Sequence, residues 1–269
     1  MSRLQALLWD VDGTLAETER DGHRVAFNRA FEAMGLPWRW DAARYGELLA
    51  VSGGRERLLA DMATRPDAPA APGEREALAR ELHRRKTAYY TALVHDAKLP
   101  LRPGVAALIA DAHAQGVRQA ITTTTSRANV DALLGVHFGP RWREGFAAVV
   151  CGEDVQRKKP DPEVFRQALR ALGLGALDCV ALEDSPGGVA AARAADVPVV
   201  VTQSAYFADA TLEGAIAIGP GLHTRAGWRP ALPGAGAAAV GDAADDGESV
   251  TLDDLRSWHS QMDLVSQFG

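Results

Sequence analysis

The chain is predicted to fold as an α/β protein: a Rossmann-like parallel sheet with a helical domain inserted after its first strand. Two patterns carry that expectation. Short apolar runs recur along the 269 residues without period-two alternation, as strands covered on both faces require. Between most of them lie segments whose apolar residues recur at helical spacing, and strands alternating with helices build parallel sheets.

The first run, LQALLWD (4–10), is the expected central strand, and QAITTTT (119–125), FAAVVC (146–151), CVALED (179–184) and VPVVVT (197–202) are the others. In KPDPEVFRQALRALGLG, Asp161 suits an N-cap, Pro162 the first helical position and Gly173 the stop. Val164, Phe165, Ala168, Leu169 and Leu172 would form its buried face. A second helix is expected near Pro103, turning Val105, Leu108, Ile109 and Ala112 inward and ending at Gly116. Residues 18–98 break the alternation, because HRVAFNRAFEAMG, RYGELLAVSGGRERLLADM and EREALARELHRRKTAYYTALV follow one another at helical period with no strand between them. The expected division is a core of residues 1–17 and 99–218, a helical insertion of 18–98, and a flexible C-terminal tail of 219–269. Within that tail the Gly-, Ala-, Pro- and Asp-rich stretch 219–247 is expected to be mobile, and TLDDLRSWHSQM to add one short helix with Thr251 as its N-cap.

Composition excludes several classes. The formal charge of −6 argues against nucleic acid as a partner, since such binding needs a basic face to replace condensed counterions. No apolar stretch reaches the roughly 18 residues of a membrane span, and the N-terminus lacks the basic segment and cleavage site of a secretion signal. Cys151 and Cys179 sit at the edges of apolar runs and are expected as thiols in a reducing cytoplasm. A monomer is expected.

Ligands of open α/β sheets sit beyond the carboxyl ends of the strands. Four such ends carry polar groups suited to phosphoryl transfer: Asp10-Val11-Asp12-Gly13-Thr14, Thr122 to Ser126, Lys158-Lys159-Pro160, and Glu183-Asp184-Ser185. Asp10 can attack phosphorus and form an aspartyl-phosphate. Asp12, two residues on and thus pointing the same way in strand geometry, can protonate the leaving alkoxide and later activate water. Thr123, and the Thr124 amide, can donate to phosphoryl oxygens, while Lys159 can neutralise both the phosphate and Asp10. Mg²⁺ prefers hard oxygen ligands, which Asp10, the Asp12 backbone carbonyl and Asp184 would supply. Glu183 would be either a further ligand or a group behind the ligands. Lys158 reads as a surface residue, and Arg102 either reaches the site or caps a strand.

In order and spacing, DVDGT, the strand-end threonine, the lysine before proline and the ED pair resemble the haloacid dehalogenase superfamily, over most of residues 1–205. The resemblance implies that the helical insertion is an α-helical cap that closes over the active site. LAETE with DGHRVAFN, SGGRER, LHRRKT, TTTTSRANV and KKPDPEVF are similar to the CbbY branch, whose members resemble β-phosphoglucomutase and include xylulose-1,5-bisphosphate phosphatases. That similarity implies a substrate-selecting wall of Glu19, His23, Gly53, Gly54, Arg55 and Lys86, with Arg55 and Lys86 gripping a distal phosphate. It also implies a Mg²⁺-dependent phosphatase acting on a phosphorylated sugar, with xylulose-1,5-bisphosphate as the specific expectation. A sugar phosphomutase is the first alternative; mutase relatives carry a lysine where this chain has Val51. A non-catalytic phosphosugar-binding module is the second, and the joint presence of Asp10 and Asp12 counts against it.

Overall fold

The computed structural model describes residues 4–96, 99–210, 212–230 and 248–265. Among the described residues seven strands form one sheet: β1 (Ala6–Trp9), β2 (Arg118–Thr122), β3 (Ala148–Val150), β4 (Cys179–Glu183), β5 (Val199–Thr202), β6 (Ala217–Gly219) and β7 (Arg229–Pro230). Their order is β3-β2-β1-β4-β5-β6-β7, with β1 central as expected. All neighbours are parallel except β7, which pairs antiparallel with β6.

Both faces of the sheet are covered, which explains the unbroken apolar runs. Alternate residues of a strand point to opposite faces. Leu7, Trp9, Ile121, Val180 and Leu182 therefore join one core cluster, and Ala6, Leu8, Ala120, Cys179 and Ala181 join another. The first face is mostly bulky and the second mostly small, so the helices on the second can approach closely. Those are α7 (Glu163–Leu172) and α8 (Pro186–Ala194), whose buried residues include Phe165, Ala168, Ala191 and Ala192. On the bulky face lie α5 (Val105–Ala114) and α6 (Arg127–Phe138). Helix α7 begins one residue later than its caps suggest, with Pro162 at the cap position. The Asp161 carboxylate still accepts from the Glu163 N–H (3.0 Å), and Gly173 ends the helix at φ +63°.

Between β1 and α5 come a π-helical turn (Glu19–His23) and four helices, α1 (Arg24–Ala33), α2 (Ala42–Leu48), α3 (Gly54–Thr64) and α4 (Pro72–His95). They enclose an aromatic core of their own in which Phe27 and Trp40 (ring centroids 4.8 Å) and Phe31 and Trp40 (5.0 Å) pack together. The buried Asp61 carboxylate is satisfied there by the Trp40 indole (2.9 Å) and the Arg44 guanidinium (2.6 Å).

The C-terminal segment differs from the flexible tail its composition suggests. Trp228 stacks on Trp258 (4.7 Å) and donates to the Gly221 carbonyl (3.0 Å). Leu252, Leu255 and Trp258 of helix α9 (Leu252–Val265) join the bulky-face core. Low complexity hid these apolar anchors, which fix residues 219–230 and 248–265 to the core. The mobility expected for the rest of the stretch, 231–247, lies outside the described residues. Thr251 holds the expected cap position, with its own N–H donating to Asp254 (2.8 Å) and its hydroxyl donating to the same carboxylate (2.8 Å). No helix among the described residues is long and apolar enough to cross a membrane, and Cys151 and Cys179 are buried free thiols.

Candidate active site

Register brings the first cluster together. Trp9 pairs with Ile121 of β2 and Leu182 of β4, so Asp10, Thr122 and Glu183 follow in step at the carboxyl edge. The Lys159 ammonium, from the loop between β3 and α7, donates to Asp10 Oδ1 (2.7 Å), the Thr122 carbonyl (2.8 Å) and Glu183 Oε1 (2.5 Å). One oxygen from each of Asp10, Glu183 and Asp184 lies within 4.8 Å of the others. Gly13, at φ +93°, makes this closeness possible, since a Cβ there would stand 2.0 Å from Asp184 Oδ2.

Three buried carboxylates with one adjacent ammonium are electrostatically unbalanced. Burial pushes Asp10, Glu183 and Asp184 above the ordinary carboxylate range, Glu183 to about 8, even though Lys159 pulls Asp10 and Glu183 the other way. Burial works against the Lys159 cation too, but Asp10 and Glu183 outweigh it and raise its pKa. A hard divalent cation fits here. All three donors are oxygens, Glu183 Oε2 is buried without a hydrogen-bond partner, and added positive charge would restore the ionised carboxylates.

Asp12 is held differently. Its Oδ1 accepts from the Thr18 hydroxyl (2.5 Å) and lies 3.0 Å from His23 Nε2. Burial opposes its charge, yet the His23 ring and the Thr18 hydroxyl prevail and hold its pKa well below the ordinary value. Tyr90 flanks the His23 ring with centroids 4.3 Å apart.

These groups open onto a cavity of about 370 Å³ whose other wall is the helical insertion. Thr123 and Thr124 line the core side, and Glu19, His23, Gly53, Gly54, Arg55 and Lys86 line the insertion side. Lys86 is 2% exposed, with its ammonium 5.2 Å from the Phe27 ring centroid and 5.3 Å from that of Tyr90. No carboxylate among the described residues pairs with it; burial lowers its pKa to about 8, while Asp12 and Glu19 favour the cation. Glu19 accepts from the Tyr45 hydroxyl and from Arg57 Nη1 (3.4 Å), and Arg57 also donates to the Tyr45 oxygen (2.7 Å).

Arg55, expected to grip a distal phosphate, lines the cavity at its exposed edge. Arg55 is 45% exposed at its side chain and pairs with Glu76 (3.1 Å). Arg57 is the buried one. Helix periodicity holds the reason: Arg57, Leu58, Asp61 and Met62 form the buried stripe of α3, and Arg55 lies off it. Two further groups lie inside the quoted strings LAETE and KKPDPEVF but carry no site role in the sequence reading. Thr18 reaches Asp12 from the start of the insertion, and Lys158, read as a surface residue, lines the cavity and bridges to Glu56 of α3 (2.8 Å).

Residues 4–196 match the family described as haloacid dehalogenase-like hydrolase. The chain is 44% identical over 257 residues to the plasmid CbbY protein of Cupriavidus necator, covering 95% of this chain and 97% of that one. It is 45% identical over 203 residues to CbbY of Rhodobacter capsulatus, covering 76% and 87%. CbbY from Rhodobacter sphaeroides, solved in complex with phosphate, superposes with a TM-score of 0.75 at 41% identity over 80% of this chain and 93% of that chain. Its D10N variant, solved in complex with xylulose-(1,5)bisphosphate, gives the same TM-score, identity and coverage. β-Phosphoglucomutase from Clostridium difficile shares the fold at 19% identity, covering 80% and 90%, with a TM-score of 0.62. With these sequence matches and this strand-end arrangement, the chain belongs to the haloacid dehalogenase-like hydrolase family.

Proposed function

We propose that the chain is a phosphatase that removes one phosphate from a sugar bisphosphate, xylulose-1,5-bisphosphate above all, through an aspartyl-phosphate on Asp10. One observation carries this reading: one cavity has the Asp10, Lys159 and Asp184 cluster on its core wall and, on its insertion wall, a buried cation, Lys86, with no carboxylate partner among the described residues. A substrate with two separated phosphates satisfies both. The resemblance to the bisphosphate-bound CbbY variant supports the same assignment.

In this mechanism the Asp10 carboxylate attacks phosphorus and the bond to the sugar oxygen breaks. Asp12 delivers its proton to the departing alkoxide, then takes one from the water that attacks the aspartyl-phosphate, releasing phosphate and restoring Asp10. In the free protein His23 and Thr18 keep Asp12 ionised. An arriving phosphate dianion, as a like charge, raises the proton affinity of Asp12, which takes a proton from solvent water before the first step. Lys159 balances charge at Asp10 and at the transferring group, and the Thr123 hydroxyl and Thr124 amide donate to its oxygens. Asp10, the Asp12 carbonyl and Asp184, with Glu183 at their side, would hold Mg²⁺, which supplies positive charge against the phosphoryl oxygens when bound. The helical insertion acts as the cap, with Glu19, fixed by Tyr45 and Arg57, offering an acceptor to sugar hydroxyls.

The reading is tested by Mg²⁺-dependent phosphate release from xylulose-1,5-bisphosphate, ribulose-1,5-bisphosphate, glucose phosphates and an aryl phosphate, with product identification. Preference for the xylulose ester, yielding xylulose-5-phosphate and free phosphate, is expected. Cleavage of the aryl phosphate alone would remove the substrate assignment, and isomerised sugar phosphate without free phosphate would replace hydrolysis by mutase chemistry.

A further inference from the structure

Arg102 lies between the end of the helical insertion and α5, outside the four strand-end motifs, yet its side chain is only 11% exposed. Its guanidinium donates to four backbone carbonyls. Nη1 reaches the carbonyls of Gly13 and Thr202 (3.1 Å) and the Thr202 hydroxyl (3.0 Å), and Nη2 reaches the carbonyls of Gln203 (2.6 Å) and Pro220 (3.2 Å). Nε lies 3.7 Å from Glu17 Oε1, and the same carboxylate accepts from the Ala205 N–H (3.2 Å). One side chain thus ties the loop after the Asp10 strand to the carboxyl end of β5 and to the turn after β6.

The first of these three segments bears directly on Asp184. The Gly13 backbone stands so close to the Asp184 carboxylate that a methyl group would overlap it. Ser204, next to Gln203, is buried at 4% exposure. A planar guanidinium presents five donors in a fixed fork, so it can hold these three segments through five acceptors at once, more than the three donors of a lysine ammonium on a flexible stem can reach. Carbonyls anchored in this way fix where the neighbouring carboxylates point.

We propose that Arg102 is a positioning residue for the cation site: by clamping Gly13 against the Thr202–Ser204 segment it sets the geometry in which Asp10, the Asp12 carbonyl and Asp184 hold a divalent cation. This rests on the proposed assignment of those groups as metal ligands. Groups that orient metal ligands from behind are worth roughly 10–100-fold in metal affinity when removed, and that is the size of effect expected here.

The test is direct binding of Mn²⁺, followed by electron paramagnetic resonance of the free ion, to full-length wild type, Arg102→Ala, Arg102→Lys and Asp184→Asn, with melting temperatures of the metal-free proteins. Arg102→Lys is expected to weaken Mn²⁺ binding by about 10–100-fold while still folding, and it decides the matter if Arg102→Ala does not fold. The KM for sugar phosphate at saturating metal should stay near wild type. A lower melting temperature with Mn²⁺ affinity within about twofold of wild type would make Arg102 an ordinary structural anchor and overturn the inference alone. Wild-type affinity in Asp184→Asn, or no Mn²⁺ binding by wild type, would overturn the metal assignment itself and this inference with it.

Discussion

The two walls of the cavity bring their functional groups together by different routes. On the core wall, Asp10, Glu183 and Asp184 project from the ends of hydrogen-bonded neighbouring strands, and Lys159 reaches in from a loop beside them. Sheet register sets the spacing of the strand ends they follow, because strands pair at a fixed distance and step. On the insertion wall, Glu19, His23, Arg57 and Lys86 come from a π-helical turn and two separate helices. Their meeting depends on how an aromatic core packs those helices. Chemistry common to a family can therefore be written into short local motifs, whereas substrate selection is spread over residues that touch only after folding.

Breaking the core wall should have the largest effect. Asp10→Asn is expected to reduce kcat by on the order of 10⁴–10⁶-fold, the range for loss of a nucleophile or its partner, with the fold intact by circular dichroism. A variant retaining a tenth of wild-type turnover would remove Asp10 from the mechanism. Lys159→Ala leaves Asp10 and Glu183 buried without their cation, and breaking such a buried pair costs about 3–5 kcal/mol of stability. Urea unfolding measures this directly. A loss below about 1 kcal/mol would mean that the carboxylates are already protonated and need no counter-charge.

The insertion wall should respond in binding and not in turnover. Lys86→Ala removes one charge-assisted contact worth about 1.5–3 kcal/mol, so KM for the bisphosphate should rise by roughly 10–100-fold while an aryl monophosphate is unaffected. Equal losses on both substrates would place Lys86 at the transferring phosphate instead.

Acid–base behaviour sharpens the same point. The folded pKa of Lys86, about 8 against an ordinary 10.5, means that the cation is present below pH 8 and is lost as pH rises through it. KM for the bisphosphate should therefore climb between pH 7 and 9 in wild type and stay flat in Lys86→Ala. Within the window from 8 to 10.5 the unfolded chain binds more protons at this residue, so its own contribution to stability grows with pH. Affinity and stability should move in opposite directions, and parallel trends would contradict the assignment.

The smallest effect is expected at the rim. Arg55 is exposed and paired with Glu76, so Arg55→Ala should change stability by less than about 0.5 kcal/mol and KM by less than Lys86→Ala does. The opposite ranking would restore Arg55 as the principal phosphate grip.

Much of this was legible in the residues. The unbroken apolar runs specified a sheet covered on both faces, and the polar residues just beyond each run are those that meet around Lys159. Lys86 was reached through the resemblance alone; the structure places it on the inward stripe of α4 with Leu82, Tyr90 and Leu93. Arg57 was overlooked although it shares a stripe with Leu58 and Met62, because the GGRER string drew attention to its first arginine. Nothing local revealed that Lys158 would bridge to Glu56, or that Trp228 and Trp258 would stack across a low-complexity segment. Each of those contacts joins residues 30 or more positions apart, and only tertiary packing selects them.

The central claim is that Asp10 carries the phosphoryl group. Rapid-quench reaction of wild type with bisphosphate labelled with ³²P at the scissile phosphate tests it most directly. The account predicts a transient, hydroxylamine-sensitive label on the peptide containing Asp10 that decays as free phosphate appears, and no label in Asp10→Asn. Turnover by wild type with label on another residue, or undiminished turnover by Asp10→Asn, would contradict it.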